Sequence, residues 1–459
     1  MSVVAQVPLN GARVTVMGMA RSGISAAKVA VRRGARVTCT DRNAGATAVE
    51  GTTAAYGEHR RADFVDADLV ILSPGVPPSQ PDVAAAIAAG VPVIGELVFA
   101  AGLLAAQENP PRLLAISGTN GKSTTTHLLG QLLSRAGLKT FTGGNIGFPL
   151  SDAVDGGYEA LAVEVSSYQM ERCGDFHPRA AAILNLTPDH LERHGSLDNY
   201  AAAKCNMFRK MVPGDWQILP AGDARLERLC DVLPGTRAYL NDHPGVRVER
   251  SGAADANGGY WLTFSEIPGA RPVSLAGFKL PGRHNRENVA AAVLLALCGG
   301  VPVEQIDVAG LTGLPHRLEV VTENGGVTWI NDSKATNVES TMVALAAMVD
   351  EPRPERVHVL LGGRGKAGAD YERLAAPLRA MGFVTCFGES GPVIAEGLRR
   401  AGLQVSVAPT LADAIDACAN TATPGDTVLL SPACASFDEF TDFEHRGRYF
   451  ADRVKDLRP

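Results

Sequence analysis

The chain has 459 residues, 46% of them hydrophobic and 20% charged, the balance of a globular protein long enough for several domains. A net charge of −6 offers no basic face, so no nucleic-acid partner is expected, and eight cysteines without a C-x-x-C pair fit a reduced, cytoplasmic setting. No apolar run reaches the roughly 20 residues of a membrane span, and the N-terminus lacks a signal-peptide pattern, so neither a membrane nor a secretory role is expected.

Along the chain, short β-branched runs alternate with Ala/Leu-rich helical segments. Strands are expected, for example, at 13–18, 36–40, 69–72, 113–117, 181–186, 357–361 and 427–430. That alternation predicts an α/β protein of parallel sheets covered by helices. The stretch "NVAAAVLLALCGGVPV" is expected as a buried core helix. Two breaker-rich links, "AAQENPPRLLAISG" and "GLTGLPHRLEVV", divide the chain into three domains at 1–105, 106–313 and 314–459. The outer two are expected to be Rossmann-like and the middle one a P-loop ATPase-type parallel sheet.

The first domain opens with "ARVTVMGMARSGISAAKVAVRRGARVTCTD", a strand, turn, helix and strand ending at Asp41. Its turn reads Gly18-x-Ala20-x-x-Gly23, so alanine replaces the middle glycine of the dinucleotide fingerprint, the one that lets a pyrophosphate approach the backbone. The helix start still offers N–H groups and a positive dipole end to an anion. Asp41 is placed to accept a hydrogen bond from a sugar or base. This pattern favours a nucleotide-like ligand over NAD.

The second domain carries "LLAISGTNGKSTTT". The full phosphate loop is G-x-x-x-x-G-K-[ST]; here the loop is the shorter Gly118-Thr119-Asn120-Gly121-Lys122-Ser123-Thr124. It follows an apolar strand and opens a helix, so its N–H groups can cradle the phosphates of ATP. Lys122 supplies a point charge, and the Ser123 hydroxyl is placed for Mg²⁺. Glu164, in the apolar run "ALAVEV", is costly to bury unless paired or metal-bound. His190, in "NLTPDHLERH", and Lys204 read in isolation as a structural histidine and a solvated lysine.

In the third domain, "WINDSKATN" places Lys334 and Thr336 where a carboxylate meets a cation and N–H groups at a helix start. "LLGGRGKAG" adds Lys366, and "SPACASFDEFTDFEHRG" adds Ser436 and Phe443. Arg364 either pairs locally or helps an acidic substrate.

Taken together, "GTNGKST", "GGNIGFP", "EVSSYQME", "NLTPDHLERH…YAAAK", "GRHNRENVAAA", "LPHRLE", "NDSKATN" and "LSPACASFDEF…FEHRG" resemble the Mur ligase family over essentially the whole chain. "GMARSGIS", "INDSKATN" and "SPACASFDEF" point to the branch that joins D-glutamate to UDP-N-acetylmuramoyl-L-alanine. The resemblance implies a UDP-binding first domain, an ATPase middle domain and a third domain that binds the incoming amino acid, in a monomer. It implies that Ser22, Asp41, Ser73 and Gly75 lie near the UDP, with Asn145 and His190 further along the sugar-peptide. It implies that CO₂ carbamylates Lys204, which then serves Mg²⁺ with Ser123, Glu164 and His190. Asn285 and Asn288 match asparagines that face adenine, and Arg317 and Asp332 match residues that reach ATP from the third domain. Lys334, Thr336, Lys366, Ser436 and Phe443 would surround the glutamate.

The implied chemistry is phosphorylation of a carboxylate by ATP, then attack of an amine on the acyl phosphate. His190 would either orient the acyl phosphate or assist proton removal. The nearest alternative is a folylpolyglutamate synthase-like ligase with the same ATP chemistry. An NAD(P) dehydrogenase and a non-catalytic nucleotide-binding regulator fit the motifs less well.

Overall fold

The strands gather into three sheets in a computed structural model that describes residues 7–77, 79–242, 245–250, 259–366 and 368–457. The chain divides into two compact units, Met1–Leu275 with Asn288–Val308, and Ala276–Glu287 with Ala309–Pro459. The first two sheets lie in the first unit and the third sheet in the second. No helix among the described residues is long and apolar enough to cross a membrane.

The first sheet holds β1 (Arg13–Met17), β2 (Arg36–Asp41), β3 (Thr52–Tyr56), β4 (Leu69–Leu72) and β5 (Val93–Gly95). All are parallel, in the order β3-β2-β1-β4-β5. Strand order therefore reverses between β1 and β4, where open α/β sheets place their ligand crevice. Helix α1 (Arg21–Arg32) leaves the β1 turn and buries Ala26, Ala27, Val29 and Ala30. A Cβ on Gly23 would meet the Gly18 carbonyl at 1.9 Å, so only glycine lets the helix start this close to the strand end. Helix α2 (Glu96–Ala105) follows β5. Its Leu97, Phe99 and Ala100 share one core with Phe141, Leu150 and Ala153, which joins the first sheet's layer to the second's.

The second sheet holds β6 (Arg112–Ser117), β7 (Thr140–Gly144), β8 (Ala160–Glu164), β9 (Ala180–Ile183), β10 (Trp216–Pro220), β11 (Thr236–Leu240), β12 (Gly245–Arg250), β13 (Tyr260–Ser265) and β14 (Val273–Ser274). Their order is β14-β13-β12-β11-β10-β9-β6-β8-β7. The sheet is parallel from β7 to β12, as expected, and is extended at one edge by antiparallel β13 and β14. β8 and β9 are buried along their whole length, which is why they read as unbroken "ALAV" and "AAAI". β9 stops at Ile183, short of the expected end at 186. Past that point only Leu184 N–H still reaches the Ser117 carbonyl of β6, at 3.0 Å. Helix α3 (Lys122–Arg135) follows β6, and α4 (Leu197–Cys205) lies between β9 and β10. The apolar run at 289–296 is buried in α5 (Arg283–Cys298), as expected.

The third sheet holds β15 (Glu319–Asn324), β16 (Val327–Asn331), β17 (Val357–Gly362), β18 (Phe383–Phe387), β19 (Ser406–Ala408) and β20 (Thr427–Ala433). The order is β15-β16-β20-β17-β18-β19, parallel except for β15. Helices α6 (Val338–Val349) and α7 (Phe443–Lys455) start from the loops that follow β16 and β20.

Candidate active site

β6 delivers the phosphate loop to the carboxyl edge of the second sheet. Gly118 (φ +143°) and Gly121 (φ +82°) take backbone shapes that disfavour a side chain. A Cβ on Gly121 would also meet Asn288 Oδ1 at 2.5 Å. Lys122 Nζ donates to the Gly118 and Thr119 carbonyls at 3.0 and 2.7 Å, lacing the loop across its own mouth. The N–H groups of Thr119 and Asn120 both donate to Asn185 Oδ1, at 3.2 and 2.9 Å. The cradle available to a phosphate is therefore narrower than the loop sequence suggests. It centres on the first turn of α3, where Ser123 and Thr124 have no partners within the helix.

Glu164, at the end of β8, is 2% exposed. Its carboxylate accepts from Ser123 Oγ at 2.7 Å and from Asn145 Nδ2 at 2.8 Å. Three expected site residues thus meet, and the hydrogen bonds offset part of the cost of burying the charge. Lys204, on α4, is 1% exposed, against the solvated reading its sequence position invites. Its Nζ donates to the Gly118 carbonyl at 2.8 Å and to Ser117 Oγ at 3.4 Å. It lies 4.4 Å from the centroid of the Tyr200 ring. That ring face favours the charged amine, but burial, with the nearby Lys122, dominates and pushes it down to about 7.

His190 caps a short helix in the left-handed region (φ 52°). Its Nδ1 is 3.1 Å from the Tyr168 hydroxyl, and its Nε2 is 3.5 Å from Asp189. Asn288 joins the loop from α5, its Oδ1 accepting from Thr125 at 3.3 Å. Asn285 lies in the second unit, its Nδ2 on the Pro281 carbonyl at 2.7 Å.

At the first sheet's switch point, Ser73 Oγ donates to the Gly18 carbonyl at 2.6 Å. Asp41 Oδ2 accepts from Met19 N–H at 2.6 Å and its Oδ1 from Asn43 N–H at 2.8 Å. The aspartate therefore braces the fingerprint turn. Ser22 is half-buried on α1, and Gly75 is exposed beyond β4, with nothing within 4 Å of an added Cβ.

In the second unit, Asp332 is 5% exposed and accepts from Leu318 N–H at 3.2 Å and Ser431 Oγ at 2.7 Å. Burial pushes its carboxyl up to about 7. Arg317, Lys334 and Lys366 are exposed, and Thr336 is half-buried. Lys334 Nζ lies 5.9 Å from the Phe443 ring centroid, so these two expected residues are brought together. Ser436 Oγ is buried without a hydrogen-bond partner among the described residues, a donor of the kind that a ligand satisfies. Arg364 pairs with Glu389 at 2.9 Å in an exposed bridge.

Sequence reasoning missed three residues that shape these sites. Asn185 follows β9, where a polar residue after an apolar run was the available signal. Tyr200 lies under Lys204. Arg446, fully buried on α7, donates to Ser333 Oγ and the carbonyls of Ser333, Cys434 and Ala435, and ties the β16 and β20 loops together. Burial pushes its guanidinium down to about 10.

Comparison with known proteins gives a consistent picture. Residues 12–95 match the family described as "Mur ligase MurD-like, N-terminal domain", residues 116–296 "Mur ligase middle domain", and residues 316–434 "Mur ligase, glutamate ligase domain". The chain is 44% identical to the UDP-N-acetylmuramoylalanine–D-glutamate ligase of Anaeromyxobacter dehalogenans, covering 96% of this chain and 97% of that protein. It is 41% identical to the enzyme of the same name from Myxococcus xanthus, covering 98% and 99%. Among solved structures, MurF ligase from Thermotoga maritima in complex with ADP has a TM-score of 0.59 at 17% identity, covering 98% of this chain and 96% of that one, a likeness of fold.

Proposed function

The chain belongs to the Mur ligase family, and from that premise we propose that it joins D-glutamate to UDP-N-acetylmuramoyl-L-alanine, using ATP and giving ADP and phosphate, in peptidoglycan precursor synthesis in the cytoplasm. The observation that carries the chemistry is the pair of buried groups flanking the phosphate loop, Glu164 on Ser123 and Lys204 on Gly118. The acceptor is supported by full-length identity to D-glutamate ligases. We assign UDP binding to residues 1–105, ATP binding to 106–313 and amino-acid binding to 314–459, with Ser22, Asp41, Ser73, Gly75 and Asn145 toward the UDP-substrate.

A carboxylate does not react with an amine until its oxygen becomes a better leaving group. Lys122 and the N–H groups at the start of α3 hold the ATP phosphates while the γ-phosphoryl passes to the alanyl carboxylate, a step that needs positioning and charge neutralisation. His190, tied to Tyr168 and Asp189, orients the acyl phosphate. The D-glutamate amine attacks the acyl carbon, and phosphate leaves. Lys334, Thr336, Lys366 and the unpartnered Ser436 hydroxyl, with Phe443, receive the glutamate. Arg317, Asp332, Asn285 and Asn288 serve the nucleotide.

The residues present fit Mg²⁺, because a buried carboxylate and a hydroxyl at 2.7 Å are ligands a hard cation accepts beside phosphate and water. Ser123, Glu164, His190 and Lys204 as its carbamate would hold the ion, which would neutralise phosphate charge. Carbamylation requires a neutral amine, and an amine pushed down to about 7 is substantially neutral at cytoplasmic pH.

The test is phosphate release from ATP with UDP-N-acetylmuramoyl-L-alanine and D-glutamate, beside a folate with L-glutamate. Turnover that requires the first pair is expected. Turnover with the second pair alone would replace this reading with the folylpolyglutamate synthase-like one.

A further inference from the structure

We infer that Asn185 is a positioning residue for the nucleotide: its side chain clamps the crown of the phosphate loop and does the bracing that a full-length loop does with its additional residues. A loop shortened between its glycines has less backbone with which to hold itself open. Here the support comes from outside. Asn185 Oδ1 accepts from Asn120 N–H at 2.9 Å and from Thr119 N–H at 3.2 Å, while its Nδ2 donates to the Asn120 carbonyl at 3.1 Å. The Asn185 backbone carbonyl also accepts from Thr119 N–H, at 3.1 Å. Both polar ends of one amide are thus used on two consecutive loop residues, a fit that aspartate and leucine each lack.

The neighbours of Asn185 extend the clamp. Thr119 Oγ1 donates to the Thr187 carbonyl at 3.1 Å and accepts from Thr187 N–H at 3.0 Å. A Cβ on Gly118 would lie 3.2 Å from Leu184 Cβ, so the loop's first glycine rests directly on the same segment. Because Thr119 and Asn120 N–H groups are engaged, the phosphate is directed to the N–H groups at the start of α3, where the helix dipole adds to the attraction. The segment that clamps the loop continues to Asp189 and His190, which fixes the spacing between the nucleotide loop and that histidine.

This inference rests on the ATP-dependent reading above. The experiment compares Asn185→Ala and Asn185→Asp with the wild-type chain, measuring kcat, KM for ATP, KM for D-glutamate and the thermal midpoint without nucleotide. Asn185→Ala should raise KM for ATP by about tenfold, with KM for D-glutamate within about twofold of wild type. Asn185→Asp keeps both acceptor contacts, loses the bond to the Asn120 carbonyl and puts a negative charge beside the phosphates. It should fold as wild type does and also raise KM for ATP, by an amount that shrinks with added salt. An unchanged KM for ATP in the aspartate variant, or equal rises in both KM values in either variant, overturns the inference. A wild-type chain that releases no phosphate with ATP and both substrates overturns the functional reading instead.

Discussion

The two units treat their charges in opposite ways. Around the phosphate loop, Glu164 and Lys204 are sealed from solvent and held by short hydrogen bonds. In the second unit, the expected ligand-facing lysines, Lys334 after β16 and Lys366 after β17, are exposed, and the buried Ser333 and Arg446 are scaffold. A desolvated charge is strong and costs no reorganisation at the moment of reaction, which suits charge developing on a phosphoryl group. An exposed lysine is open to solvent, which suits capture of a free amino acid from water. The difference predicts that losing a buried charged group beside the phosphate loop lowers kcat, and that losing an exposed lysine of the second unit raises KM.

The largest effect is expected from Lys122→Ala. It removes both the charge and the two bonds across the loop, and kcat should fall by about 10³-fold with little change in the thermal midpoint. A rise in KM with kcat left at the wild-type value would break the comparison at its strongest point. Lys204→Ala should lower kcat by about 10²-fold to 10³-fold, and short carboxylic acids added to the assay should restore part of it if a carbamate is the working form. Wild-type rates without additive would remove Lys204 from the mechanism. Lys334→Ala should raise KM for D-glutamate by about 10-fold to 100-fold, the worth of one charge-assisted hydrogen bond, with KM for ATP nearly unchanged. Equal effects on both substrates would sink that assignment.

The smallest effect on turnover is expected from Glu96→Gln, which sharpens the comparison through stability. Glu96 is buried at the start of α2, its Oε1 accepts from Ser151 N–H and Oγ at 2.7 Å, and its Oε2 has no partner among the described residues. Burial pushes its carboxyl up to about 7, above the ordinary carboxylate range. Between that range and about 7 the folded chain holds a proton that the unfolded chain has lost. The contribution of this group to stability is therefore greatest at low pH and is lost as pH rises to about 7, by about 3 kcal/mol. Glu96→Gln should flatten that decline in thermal midpoints read from about pH 5 to about pH 8. A variant with the wild-type slope would show that Glu96 is not its source.

What could be read from the chain beforehand follows from how local each feature is. The phosphate loop and the β1 turn were legible because strand, glycines and helix are contiguous. The burial of Lys204 was not: apart from the family resemblance that marks it, it reads on α4 as a solvated lysine, and only the packing of Tyr200 and the loop around it reveals burial. Arg446 was also hidden, since its acceptors are carbonyls of residues 333, 434 and 435, which meet only because β16 and β20 are neighbours in the sheet. Asn185 stands within the motif "NLTPDHLERH", yet its role depends on β9 lying beside β6. Strands β13 and β14 were not legible because β13 is half-buried along nearly its whole length, with no alternation, and β14 is two residues long.

The far edge of the second sheet has a consequence for handling the protein. β14 is only two residues long and pairs with Trp261 and Leu262 of β13, so the uncovered edge of β13 beside it is the short run Thr263–Ser265. A long flat edge would template pairing with another chain. A nine-stranded sheet finished by such a stub resists growing into its neighbours, and concentrated solutions should stay free of edge-to-edge association on that side.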